Sequence, residues 1–131
     1  MSKYILRFDG CSKGNPGLAG AGAVLYENEK QIWTGNAFIG EKETNNVAEY
    51  NGLIIGFREA ILKGILSLHI EGDSLLVIKQ MRGEYKVNSE KLRELYEICK
   101  NFEKQFMSVT YTHILRNKNT VADKLANEAL L

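Results

Sequence analysis

The hydrophobic period of this chain changes at Thr44-Asn45-Asn46, and that change narrows the folds open to it. Ahead of it, residues 4–9, 19–26 and 31–38 are short runs rich in strand-forming residues, separated by the turn-dense residues 10–17 and by 27–30. Two short connections predict an antiparallel meander of three strands. Beyond it, Val47, Tyr50, Leu53, Ile54, Phe57, Ile61 and Leu62 recur on one helical face until Gly64 stops the run. Residues 65–73 follow as a fourth strand. Strand, helix, strand in that order favours a right-handed crossover, which sets the fourth strand parallel to the first and beside it. A short helix over 74–81, a longer one capped by Ser89, a fifth strand over 107–114 and a last helix from about Thr120, with Val121, Leu125 and Ala129 on one face, complete an α/β pattern.

With 131 residues, 44% of them hydrophobic, and one proline, the chain suits a single domain over 1–131 with its own core and no linker. Its formal charge of +1 excludes a global basic field, so any nucleic-acid site has to be local. The richest basic stretch, Lys79 to Lys104, is interleaved with Glu84, Glu90, Glu94, Glu97 and Glu103 and reads as a solvated helix face. No run is long and apolar enough for a membrane span and the start lacks a signal-peptide pattern, so a cytoplasmic protein is expected. Cys11 and Cys99 are too few and too far apart for a zinc site or a disulfide framework, and are expected to be free thiols.

Four acids stand at informative places. Asp9 closes the first predicted strand and Asp73 the fourth, and in open α/β sheets ligands bind at the carboxyl ends of strands where connections diverge to opposite faces. Glu49 and Asp123 lie near the starts of helices that can lean a side chain over those ends. Each acid taken singly suits a turn or a cap. Together they would repel one another strongly, and a divalent cation supplies the compensating charge.

The surroundings of these acids form an ordered set: Asp9-Gly10 ahead of the Gly14-Asn15-Pro16-Gly17 turn, Thr44-Asn45-Asn46 with Glu49 at a helix start, Gly72-Asp73-Ser74 at a strand end, and Asn119 four residues before Asp123, ahead of Leu125-Ala126-Asn127-Glu128-Ala129. From Tyr4 to Leu130 this closely resembles the type 1 ribonuclease H family in its short form, a single catalytic domain without a hybrid-binding domain. The resemblance implies a ribonuclease H-like fold, a five-stranded mixed sheet of order 3-2-1-4-5 with strand 2 antiparallel, flanked by helices on both faces. It implies an endonuclease that hydrolyses the RNA strand of RNA–DNA hybrids to 5′-phosphate and 3′-hydroxyl ends, with two Mg²⁺ ions, or Mn²⁺ in their place, held by Asp9, Glu49, Asp73 and Asp123. A phosphodiester resists attack because its oxygens are anionic; paired divalent ions activate the attacking water and stabilise the departing 3′ oxygen. By the family's pattern Asp9 bridges both ions, Asp123 completes the water-activating site, and Glu49 and Asp73 the leaving-group site. Asn15, Asn45 and Asn46 match groove-contacting positions suited to reading the 2′-hydroxyl, and Thr44 a grip on a DNA-strand phosphate. The same side chains suit turns and caps. The implied partner is the hybrid nucleic acid, with no membrane and no obligatory protein partner.

Two departures alter the expectations. Many family members carry a longer loop before the last helix, with a Gly-His pair; here residues 113–119 are shorter, His113 reads as a strand residue, and Arg116 is the candidate auxiliary group, stabilising charge on the phosphate. Residues 82–88 are a brief connection where some relatives carry a basic protrusion. Without that protrusion or an appended hybrid-binding domain, substrate binding is expected to be weak and salt-sensitive. Two alternatives stay open: a related nuclease of the same fold that also cuts double-stranded RNA, and a non-catalytic nucleic-acid-binding module. Clustered negative charge facing phosphates argues against the second.

Overall fold

A computed structural model describes residues 1–131. Its elements run β1 (Tyr4–Lys13), β2 (Gly17–Glu27), β3 (Lys30–Glu43), α1 (Asn45–Leu62), β4 (Ser67–Gly72), α2 (Leu75–Met81), α3 (Glu90–Glu103), β5 (Ser108–His113), a 3-10 turn (Arg116–Lys118) and α4 (Thr120–Glu128). The sheet order is β3-β2-β1-β4-β5, with β2 antiparallel to both neighbours and β4 parallel to β1 and β5. The crossover through α1 therefore sets β4 beside β1, as the order of elements requires.

The first strand does not end at Asp9, as its turn-rich sequel suggests. β1 stays paired with β2 from Tyr4↔Glu27 to Lys13↔Leu18, whereas its ladder with β4 ends at Phe8↔Gly72. The hairpin supplies hydrogen-bonding partners that a propensity count over 10–13 does not register, so the turn shrinks to Gly14–Pro16. Asp9 thus marks where β4 departs, on a strand held on one side only. β2 and β3 likewise outrun their predicted bounds, pairing from Gly17↔Glu43 to Glu27↔Lys30.

Two faces of the sheet are covered by different chemistry. Against one lie α1 and α3, around a core that includes Leu6 and Phe8 of β1, Tyr50, Leu53 and Phe57 of α1, Ile70 of β4, and Leu92, Leu95 and Cys99 of α3. Phe57 meets the rings of Phe102 and Phe106 at centroid distances of 5.9 and 5.7 Å. Against the other lies α4, seated by backbone approach. A Cβ at Gly20 would stand 2.3 Å from the Ala126 carbonyl oxygen, and one at Gly22 2.6 Å from that of Ala122. So close a contact selects the smallest residues, and α4 buries Ala122 and Ala126. Of the predicted apolar face at Val121, Leu125 and Ala129, the last two do meet the sheet, their Cβ atoms lying against Gly22 and Gly20, whereas Val121 is 37% exposed. Beyond the helix, Leu130 reaches the same spot over Gly20.

The mixed-charge surface of α3 is a solvated face, as its sequence suggests, with Arg93–Glu97 at 3.3 Å and Lys100–Glu103 at 3.2 Å. No helix is long and apolar enough to cross a membrane.

Candidate active site

Four elements bring one acid each to the place where β4 leaves β1. Asp9 projects from β1, Glu49 from α1, Asp73 follows the last residue of β4, and Asp123 stands in the first turn of α4. Carboxylate oxygens of Asp9, Glu49 and Asp73 all lie within 4.8 Å of one another. Asp123 lies outside that tight set but lines the same pocket, of about 440 Å³, with Asn45 and Arg116.

The local reasons are specific. Thr44 caps α1, its Oγ1 accepting from the Val47 amide at 3.2 Å, which starts the helix so that Glu49 falls on the buried side of its second turn. Helix and strand then touch backbone to backbone. A Cβ on Gly10 would sit 2.2 Å from the Ala48 carbonyl carbon, and one on Gly52 2.4 Å from the Asp9 carbonyl oxygen. At β4, Ser74 caps α2 with its Oγ accepting from the Val77 amide at 3.3 Å, so the chain turns sharply beside Asp73. Asn119, fully buried, donates from Nδ2 to the Phe8 carbonyl at 2.9 Å and so fastens the start of α4 one residue before Asp9.

Burial and mutual repulsion raise the affinity of these acids for protons. Asp9, 4% exposed, is pushed up to about 8, first by burial, then by the charge of Asp73 and the approach of Asp123. Glu49 is held well above the usual carboxylate range by burial, then by Asp9 and Asp73. Asp73 is raised too, chiefly by burial, with Asp9 and the Arg116 guanidinium opposing. The buried Glu49 Oε1 has no hydrogen-bond partner. An unpartnered buried carboxylate oxygen, facing two further carboxylates from other elements, fits a hard divalent cation.

The other sequence candidates divide between two places. Asn45 lines the acid pocket, while Asn15, Thr44 and Asn46 line the adjoining groove with Lys42 and Lys91. Asn15 Oδ1 accepts from the Asn45 amide at 3.0 Å, tying the β1–β2 turn to the helix start. Arg116 is exposed, with Nη2 3.9 Å from Asp123 Oδ1. His113 ends β5, its Nε2 3.3 Å from the Asp73 carbonyl oxygen.

Sequence reasoning passed over Lys13, Cys11 and Asn127, all of which line the pocket. Lys13 was hidden by the early strand end; once β1 extends, alternation places Asp9, Cys11 and Lys13 on one face. Asn127 was legible as the residue one helical turn after Asp123. Both cysteines are free thiols, as expected.

A family profile described as "Reverse transcriptase-like" matches residues 7–129. The crystal structure of RNase H1 from the archaeon Halobacterium salinarum NRC-1 superposes with a TM-score of 0.93 at 37% identity, covering 98% of this chain and 97% of that one. The chain belongs to the type 1 ribonuclease H family. Within the family, the N-terminal RNase H domain of a Mycobacterium tuberculosis protein gives a TM-score of 0.94 at 39% identity, over 99% of this chain and 94% of that one. LC11-RNase H1, solved in complex with an RNA/DNA hybrid, gives 0.92 at 34% identity, over 98% and 96%. By sequence, the bifunctional protein of M. tuberculosis H37Rv is 40% identical over 98% of this chain. The chain spans 35% of that relative's length, and 62% of the length of the H. salinarum ribonuclease HI, to which it is 40% identical.

Proposed function

We propose that this chain is a ribonuclease H catalytic domain over residues 1–131, an endonuclease that hydrolyses the RNA strand of RNA–DNA hybrids to 5′-phosphate and 3′-hydroxyl ends. The observation that carries this reading is the convergence of Asp9, Glu49 and Asp73 within 4.8 Å, with Asp123 on the same pocket. A merely hybrid-binding module would have no use for buried carboxylates facing phosphates. One sheet with α1 and α4 on its two faces contributes all four, which supports a single domain.

Asp9, Glu49, Asp73 and Asp123 would hold two divalent ions, Mg²⁺ with Mn²⁺ as a substitute. When bound, these supply the positive charge that activates water and stabilises the departing 3′ oxygen. The chain's own residues perform the rest. Asp9, central among the acids and on the β1–β2 ladder, would fix where the cations, and through them the scissile phosphate, sit. Asn45 in the pocket, with Asn15 and Asn46 in the adjoining groove, offers amides that donate to and accept from 2′-hydroxyls, which only RNA presents. Thr44, on that groove, positions a phosphate of the DNA strand while capping α1. Because α1 carries both this cap and Glu49, a duplex of the wrong shape is held out of line with the acids.

The reading is tested by presenting labelled RNA–DNA, RNA–RNA and DNA–DNA duplexes with Mg²⁺, Mn²⁺ or EDTA. Cleavage confined to the RNA of the hybrid and abolished by EDTA is expected; metal-independent cutting would sink it. Efficient cutting of RNA–RNA would instead favour the broader nuclease.

Two further outcomes are expected. Arg116 faces Asp123 from solvent and is free to meet phosphate, so Arg116→Ala should lower turnover roughly tenfold. A wild-type rate would remove Arg116 from the reaction. Hybrid binding should be weak and fall steeply between low and physiological salt, because few cations line the groove. Tight binding indifferent to salt in a titration would contradict this.

A further inference from the structure

We propose that Lys13, held by Asn127, is a phosphate-binding residue for the strand being cut, taking a phosphate that flanks the scissile one; this rests on the hybrid-cleaving reading above. Lys13 and Arg116 are the only cations lining a pocket that holds four acids, and they enter from different elements. The Lys13 backbone is not part of a free loop. It is paired with Leu18 at the end of the β1–β2 ladder, and the turn beyond is so tight that a Cβ on Gly17 would stand 1.9 Å from the Lys13 carbonyl oxygen. The side chain is also directed: Nζ donates to Asn127 Oδ1 at 3.0 Å, and Asn127 Nδ2 donates to the Asp123 carbonyl at 2.9 Å.

Geometry decides which phosphate this amine can serve. Asp9 and Lys13 share one face of β1 and are four residues apart, about 13 Å along a strand. Asn127, which holds the amine, stands one turn beyond Asp123 on α4, about 6 Å along the helix. The ammonium is thus displaced from the acid centre, in line with Asp9 along β1. A strand whose scissile phosphate lies over Asp9 would offer Lys13 a phosphate one or two along. Bound there, the amine would add attraction without offsetting the charge of the acids that do the chemistry. The Asn127 contact costs little to exchange, since a lysine has three donors, and it keeps a flexible side chain aimed at the pocket before substrate arrives.

The test measures binding of a labelled hybrid by fluorescence anisotropy over a salt series, in an Asp9→Asn background that leaves the substrate uncut. Lys13→Met should weaken binding roughly fivefold at low salt and reduce the slope of log Kd against log salt by about one, the signature of one lost phosphate contact. Lys13→Arg should restore both. Lys30→Met, at the first residue of β3 beside the β2–β3 turn, should change neither. Asn127→Ala should weaken binding less than Lys13→Met and add nothing to it, because the two act as a unit. With the acids intact, Lys13→Met should raise KM and leave kcat nearly unchanged. Unchanged affinity and slope in Lys13→Met, or an equal loss in Lys30→Met, overturns the proposal while wild-type cleavage of the hybrid keeps the underlying function standing. A wild-type protein that leaves the hybrid uncut overturns both.

Discussion

Asp9→Asn is expected to abolish hydrolysis and, in metal-free buffer at pH 8, to make the protein more stable than the wild type. The two effects have one cause. Asp9 is 4% exposed and surrounded by Glu49, Asp73 and Asp123, so its ionisation in the folded chain is uphill and its affinity for a proton persists to about pH 8. In the unfolded chain the same group releases its proton near 3.8. The folded state therefore binds more protons between about pH 4 and pH 8. Stability from this group is complete below that window and is lost as pH rises through it. Glu49 and Asp73, both raised, act in the same direction. An amide at position 9 removes the charge and keeps the shape, for a gain on the order of 2 kcal/mol, or roughly 5–10 °C in melting temperature, at pH 8. That gain should shrink towards pH 4 and also when Mg²⁺ is added to the wild type, since a cation offsets the same repulsion. Turnover should fall roughly 10³-fold or more, equivalent to about 4 kcal/mol of transition-state stabilisation. Calorimetry of both proteins at pH 5 and pH 8, with EDTA and with Mg²⁺, checks the pattern; an Asp9→Asn protein less stable than wild type at pH 8 without metal would refute it.

Gly10→Ala should damage fold and site together. The new Cβ would stand 2.2 Å from the Ala48 carbonyl carbon and 2.3 Å from the Glu49 amide nitrogen, both backbone atoms with no rotamer in which to yield. α1 has to lift from β1, and Glu49 moves with it. We expect a loss of about 3 kcal/mol in stability by denaturant titration, from overpacking at a backbone contact, and a fall in activity larger than the unfolded fraction explains. Gly52→Ala opens the same seam from the other side, against the Asp9 carbonyl oxygen at 2.4 Å. The double variant should cost less than the sum of the two, because one displacement of α1 relieves both clashes. Full additivity would mean that the two contacts are independent.

These residues also show what could be read in advance. The helix at 45–62 was legible because a Thr cap, an apolar face at spacing 3.6 and a stopping glycine are all local signals, and Glu49 inherits its place from them. Asp73 was legible for a similar reason: a strand, a Gly-Asp-Ser turn and a cap follow one another within a few residues. The bounds of β1 were not, because residues 10–13 have turn composition and are kept extended only by pairing with Ala21, Gly20, Ala19 and Leu18. Lys13 and Cys11 therefore entered the pocket unforeseen. The exposure of Val121 was not legible for a related reason: Ala122 and Ala126 take the innermost positions of α4 because Gly20 and Gly22 across the interface have no side chains.

The sequence by itself determined the order of elements, the parallel crossover that sets β4 beside β1, and the four acids, because period, caps and connection length act over short distances along the chain. Only the tertiary structure decided that Asp9, Glu49 and Asp73 meet within 4.8 Å, that Glu49 Oε1 is left without a partner, and that Asn45 faces the acids while Asn15, Thr44 and Asn46 face the next groove. Those distances depend on how closely backbones approach across the sheet. That is set by glycines at positions 10, 20, 22 and 52 acting on residues far away in the chain, a pairing that no single stretch of sequence contains.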